Sequence, residues 1–198
     1  MIKGKYALYA LPVVIALLGI SVLASTFGSN QQQATSSEHQ ILPLINDGSK
    51  VTGWVTLTVY DQFGNVKQKV ENHNLVVDQG LDEMSHRVFG VGGVGTTVFN
   101  YIGIGTSSTA PSAGQTALVT PICTRVQDAS PDSDSSVSGE TSTSVISSFS
   151  GVTCAGAITE AGIFNAVSSG QMLARSTFGV VTIGASDTLN VNYTITIT

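Results

Sequence analysis

Two cysteines, three histidines and a scatter of carboxylates are the residues of this chain with chemistry to offer. Cys123 and Cys154 are its only thiols. In an exported protein, a small even number of cysteines points to a disulfide. Residues 117–128 and 141–153 read as two strands, with the polar stretch Ser130 to Glu140 as a long turn between them. A hairpin centred near residue 138 would set Cys123 opposite Cys154. Closing a loop of about 30 residues stabilises a fold by roughly 3–4 kcal/mol on chain-entropy grounds. The alternative is two buried free thiols. A metal centre fits poorly, since no His or third Cys lies near either one.

The histidines, His39, His73 and His86, fall in a linker, a predicted hairpin and a short helix. No pair has metal-ligand spacing, so each reads as a surface residue. Asp128, Asp132, Asp134 and Glu140 surround the long turn (PDSDSSVSGE). Carboxylates among serine oxygens could hold Ca²⁺ weakly at the Asp132/Asp134 turn, but the spacing is not that of an EF-hand loop, and a solvated acidic turn is the plainer reading. Glu160 sits inside an apolar strand, where a carboxylate needs backbone or Arg partners. Catalysis of glycoside cleavage would need a second carboxylate nearby, and none is suggested. The glycines of VGGVG at 91–95 follow a helix rather than a strand, so they lack the context of a phosphate loop. No catalytic, cofactor-binding or metal-binding residue is assigned, and the chain is not expected to be an enzyme or to take a small-molecule substrate. Asn192-Tyr193-Thr194 is the only glycosylation sequon, with Asn192 on the polar face of the last strand.

What positions these residues begins with the N-terminus. Lys3 and Lys5 precede an apolar, uncharged run from Tyr6 to Ala24 (YALYALPVVIALLGISVLA). A basic start and an apolar run make an export signal or a membrane anchor. The run lies at the length boundary for crossing a hydrocarbon core, about 20 residues. Val22-Leu23-Ala24 fits a small-residue cleavage site, with cleavage after Ala24. Pro12 is tolerated in a short signal core and in a kinked membrane helix alike. Cleaved signal and retained anchor both stand, ahead of a buried core helix, for which nothing else in the chain offers a helical face to pack against; if retained as an anchor, the helix keeps its N-terminus cytoplasmic and attaches the chain to the membrane.

Residues 26–50 read as a flexible linker, rich in Gln, Ser and Asn. It carries an apolar island, Ile41-Leu42-Pro43-Leu44-Ile45, whose Ile41, Leu42, Leu44 and Ile45 are a candidate donor strand. Residues 51–198 read as one β-sandwich domain. Val51, Val55, Leu57 and Val59 alternate with Thr52, Trp54, Thr56 and Thr58, the pattern of a half-buried strand. Val66 to Val77 pairs back as its hairpin partner. Asp78 precedes a short helix over Leu81 to Phe89, with Leu81, Met84 and Val88 on one face and Gly90 as its stop. Strands follow at Val98 to Gly105, at the cysteine hairpin, at Ile158 to Asn165, at Met172 to Ile183 and at Leu189 to Thr198. About eight strands at short spacing with one short helix predict a mainly β fold: a single jelly-roll-like antiparallel β-sandwich behind an N-terminal hydrophobic helix.

Composition narrows the function. Only 11% of the residues are charged, and the net charge is −5. Setting Lys3 and Lys5 aside leaves six basic against thirteen acidic residues, a formal −7. Nucleic acid needs a basic footprint that is missing here. The balance suits an extracellular β-protein.

Several stretches resemble a family of β-sandwich domains found in phage tail and tail-fibre-like proteins and in exported archaeal surface proteins. The residues that carry it are Asn74-Leu75-Val76-Val77 with Gly80-Leu81, YIGIGTSSTAPSAGQTAL at 101–118, ITEAGIFNA at 158–166, MLARSTF at 172–178 and the final alternating strand. The resemblance implies a structural or adhesive role in an assembly, with no catalytic residues to carry over. The leader and the cysteine pair depart from the phage pattern and favour a cell-surface protein or a virion protein of a membrane-associated virus. The expectation is thus a non-enzymatic extracellular structural protein: a surface-exposed subunit of a filament, appendage or virion-like assembly, self-associating or joined to other surface proteins. The alternative is an anchored or secreted binding module for glycans or a host surface, with Trp54, Tyr60, Phe63 and Tyr101 as candidate contacts.

Overall fold

Alternation along the first strand fixes which face meets the core. In a computed structural model of the chain, which describes residues 50–90, 97–134 and 139–198, that segment is β1 (Val51–Tyr60). Val55, Leu57 and Val59 are fully buried and Trp54 is exposed, the period-two partition of a strand with one face on a core. Asp61 shapes the turn that follows: its carboxylate accepts the backbone N–H groups of Phe63 (2.9 Å) and Asn65 (2.8 Å). The chain returns as β2 (Val66–His73), antiparallel to β1.

After β2 come β3 (Leu75–Val76), helix α1 (Asp78–Phe89), β4 (Tyr101–Gly105), β5 (Pro121–Gln127) and β6 (Asp132–Asp134). Then follow β7 (Thr141–Ser150), a single helical turn α2 (Gly151–Cys154), β8 (Gly156–Phe164), β9 (Met172–Ile183) and β10 (Thr188–Ile197). They form two five-stranded antiparallel sheets, ordered β2-β1-β10-β7-β6 and β3-β9-β8-β4-β5. Together the sheets make a β-sandwich. Leu57, Phe149, Val191 and Tyr193 of the first sheet pack in one cluster with Ile102, Ile104, Ile163 and Val181 of the second. Each such side chain stabilises the fold by about 1.5–3 kcal/mol on burial. A smaller cluster of Val77, Leu118, Phe164 and Met172 forms separately.

Side chains close the flanks where the two sheets meet. On one flank the Asn72 amide donates to the Thr177 carbonyl (2.6 Å) and the Gln68 amide to that of Val180 (2.8 Å), from β2 to β9. On the other, Ser147 Oγ donates to the Val126 carbonyl (3.0 Å), and Asp128 Oδ2 accepts the N–H of Ile146 (2.7 Å).

Three expectations need correction. The strands carrying the cysteines are not a hairpin. β5 pairs with β4 in one sheet, whereas β7 pairs with β10 and β6 in the other. The turn's own residues Asp132–Asp134 form the short strand β6 and take the hairpin place beside β7. The partner strand of β1 ends at His73, not Val77, because the chain crosses to the other sheet at Asn74. The helix begins three residues earlier than expected, at Asp78, and turns a different face inward. Gly80 and Glu83 are buried and Met84 packs on the core, but Leu81 and Val88 are 45% and 75% exposed. Gly80 decides that rotation: a Cβ there would run into the carbonyl of Leu173 in β9. Gly90 does end the helix, in the left-handed conformation (φ 64°, ψ 26°), with its N–H on the His86 carbonyl.

The leader with Ala24, His39, the island Ile41, Leu42, Leu44 and Ile45, and the VGGVG loop lie outside the described residues. Among the described residues no helix is long and apolar enough to cross a membrane.

Candidate functional site

The first residues of β1 border an open lane in the sheet. Lys50 and Thr198 exchange both backbone hydrogen bonds (2.7 and 3.0 Å). Bonded residues alternate along an antiparallel ladder. Lys50 and Thr52 therefore turn their backbone groups toward β10, and Val51 and Gly53 turn theirs to the other side. There β2 reaches only to His73, opposite Trp54. Asn74 adds one bond, from its N–H to the Gly53 carbonyl (3.0 Å), before the chain departs as β3. No described strand pairs with Val51 on that side.

The lane is the floor of a groove of about 460 Å³, walled by Lys50, Val51, His73, Asn74, Leu75, Val76 and Leu81. Leu75 and Leu81 are more than a third exposed on it. Within it the Asn74 amide lies flat over Gly53, where any Cβ would strike it. Both polar atoms of that amide are enclosed, and neither has a hydrogen-bond partner among the described residues. An unpartnered amide costs about 1–3 kcal/mol when buried, and this one lies on the core-facing side of Gly53.

The outer face of the first sheet is the second surface of note. Trp54, 46% exposed, stacks on His73 with ring centroids 3.5 Å apart. Thr194 stands opposite Trp54, and hydroxyl pairs Ser142–Thr196 (2.9 Å) and Ser144–Thr194 (3.3 Å) continue the row. Asn192 lies on this face between Thr56 and Ile146. Of the other aromatic candidates, Phe63 is 79% exposed at the first turn, while Tyr101 packs on the smaller cluster.

Glu160 finds the Arg partner expected of it. Its carboxylate meets Arg175 (Nη2 at 2.7 Å, Nε donating at 2.9 Å), and both side chains are fully buried. The same carboxylate accepts the N–H groups of Val119 (3.1 Å) and Thr120 (2.7 Å). Arg175 Nη1 donates to the Thr109 carbonyl (2.9 Å) and to Gln115 Oε1 (3.1 Å). One ion pair thus anchors the β4–β5 connection at four points. Gly105, opposite Glu160 in β4, makes the room, since a Cβ there would strike the carboxylate.

Cys123 and Cys154 form a disulfide, with Cα atoms 5.6 Å apart. Its setting differs from the expected hairpin: it joins β5 of one sheet to the turn α2 by which the chain leaves the other. Asp132 and Asp134 lie exposed in β6, opposite Ser144 and Ser142. The Asp128 carboxylate is taken by Ser130 and Ile146. Among the described residues no group of three His, Cys, Asp or Glu could hold a metal.

Sequence reading missed the lane and the Asn74 amide, because both depend on where β2 stops. No protein-family model matches the chain, and no curated protein and no solved structure matches it.

Proposed function

We propose that this is a non-enzymatic structural protein displayed outside the cell, a surface-exposed subunit of a filament, appendage or virion-like assembly. The observation that carries the reading is the lane beside Val51 that no described strand fills, in a chain whose apolar island at 41–45 shortly precedes it in sequence. Unpaired strand edges are what proteins use to add strands from partners. The disulfide supports an oxidising, extracellular setting, as does the apolar leader, by cleavage or as a retained membrane anchor. The carboxylates of Asp61, Asp128, Glu160 and Asp187 are each spent on turns and strand contacts, which supports a scaffold rather than a catalyst. The finer reading is a jelly-roll-like sandwich akin to phage tail-fibre-like and archaeal surface domains.

Immunogold electron microscopy of native cells and their shed material, with antibody to residues 51–198, tests this. Gold strung along filaments or virions is expected. Gold scattered singly over the envelope would overturn the assembly role. A second reading, a glycan- or host-surface-binding module, is favoured by the exposed Trp54–His73 stack. It predicts glycan-array signals that fall at least tenfold in Trp54→Ala.

A further inference from the structure

We propose that the Cys123–Cys154 disulfide is an exchange site for small thiols, opened by attack at Cys123 with Cys154 as the departing sulfur. The site works whether or not the chain assembles.

The two half-cystines sit in opposite settings. Cys123 is exposed on β5, an edge strand of its sheet, whereas Cys154 is only 5% exposed and packs in the main core cluster. Between the pairs Ile102–Val126 and Ile104–Ile122, three residues of β5 (Cys123, Thr124 and Arg125) oppose the single Gly103 of β4. Such a bulge re-aims a side chain. Here Cys123 is held in the left-handed region (φ 43°), which residues with a Cβ disfavour. Opening the bond frees Cys123 to leave that conformation, a relief that a half-cystine in a regular strand does not gain.

A groove of about 700 Å³ runs beside the bond, with Thr124, Gln127, Ser150 and Thr153 lining it next to the two half-cystines. That is room for a thiol of tripeptide size. The attacking species is a thiolate, and its charge matters in a chain of net charge −5. No carboxylate lines this groove, and its one charged lining residue is Arg125. An anion therefore enters without meeting a fixed negative charge at the wall.

Exchange is a displacement along the sulfur–sulfur axis, so the sulfur that can be reached is the one attacked. A thiolate bonds to Cys123 Sγ as the bond between the two Sγ atoms breaks, and the bonding pair leaves on Cys154 Sγ. The products are a mixed disulfide at Cys123 and a thiolate at Cys154, with no net oxidation. Attack in the opposite sense would need the thiol to enter the core cluster behind Cys154. Enclosure does work against an anion at Cys154, and Thr153 offsets this. Its Oγ1 lies 3.5 Å from Cys154 Sγ and 3.3 Å from the Ser150 carbonyl, so its single proton can swing from the carbonyl to the sulfur as the charge forms.

The test uses the full oxidised chain in detergent, mixed with millimolar glutathione and glutathione disulfide, sampled from the earliest times, quenched in acid and capped with N-ethylmaleimide. Trypsin then separates the two cysteines into the peptides 88–125 and 126–175. Glutathione is expected on peptide 88–125 and the maleimide on 126–175, in at least tenfold excess over the reverse arrangement. Equal yields, or an excess of the reverse, would overturn the proposal, and so would the absence of any glutathione adduct. Thr153→Val should slow adduct formation at least threefold without moving the thermal unfolding midpoint of the oxidised chain; an unchanged rate would overturn the part given to the hydroxyl.

Discussion

Arg175 and Glu160 meet on a diagonal. In the β8–β9 ladder Arg175 stands opposite Gly162, and its guanidinium reaches back to the carboxylate two residues away. Diagonal neighbours in a sheet lie within reach of long side chains.

That geometry makes the pair hard to replace. Arg175→Met leaves a buried carboxylate without its countercharge and is expected to cost about 3–5 kcal/mol. Many buried pairs can be exchanged for apolar residues with little loss. Here the double variant Arg175→Met/Glu160→Met should stay destabilised, because the N–H groups of Val119 and Thr120 lose their acceptor at about 1–3 kcal/mol each. Urea unfolding of the two variants decides it: full recovery in the double variant would show that the loop does not depend on the carboxylate.

Cys123→Ala/Cys154→Ala, or reduction, should lower stability by roughly 3–4 kcal/mol, the value for a loop of this size. Thermal unfolding with and without reductant measures it. A loss below about 1 kcal/mol would mean that Asp128 and Ser147 already hold the flank unaided.

Alternation marks β1 and β10; β9 lacks it, yet matches the expected Met172 to Ile183 at both ends. Cysteine pairing was legible, but its setting was not. Two strands joined by a polar turn look the same in sequence whether they pair with each other or lie in facing sheets. The short strand β6, all polar (Asp132–Asp134), gave no apolar signal. Apolar spacing in the helix points to Leu81 and Val88, whereas close approach at Gly80 sets the rotation. A need for partners at Glu160 was legible from its apolar strand; the partners themselves sit in separate blocks of the chain.

Gly80→Ala brings two effects of opposite sign. Replacing glycine inside a helix gains up to about 1 kcal/mol. Forcing a Cβ against the Leu173 carbonyl costs about 1–3 kcal/mol as overpacking. Steric cost should win, giving a net loss in chemical denaturation. A stabilised variant would show that α1 can slide away from β9 freely.

Asp187 supplies the pH dependence. Lys67 Nζ lies 2.6 Å from its carboxylate and the Gly184 N–H donates at 2.8 Å. The hydrogen bond from Lys67 first, then that from Gly184, holds its carboxyl below the ordinary value of 3.8. A lowered folded-state value means stabilisation that is complete above the ordinary value and lost as pH falls below it. Asp187→Asn should therefore be less stable than the parent by a constant margin near neutral pH, with the margin closing below about pH 4. Unfolding midpoints measured from pH 7 to pH 2 check this; a margin that survives at pH 2 would assign the loss to something other than the charge.

The disulfide also sets how the domain would answer tension. The residues between Cys123 and Cys154, a separation of 31, form a closed loop that a pull on the two chain ends cannot straighten. That loop contains β6 and β7, and its locked length is about 100 Å at 3.3–3.6 Å per residue. A stretched oxidised domain would therefore stop short by that length, and reduction would release it as a hidden reserve of extension.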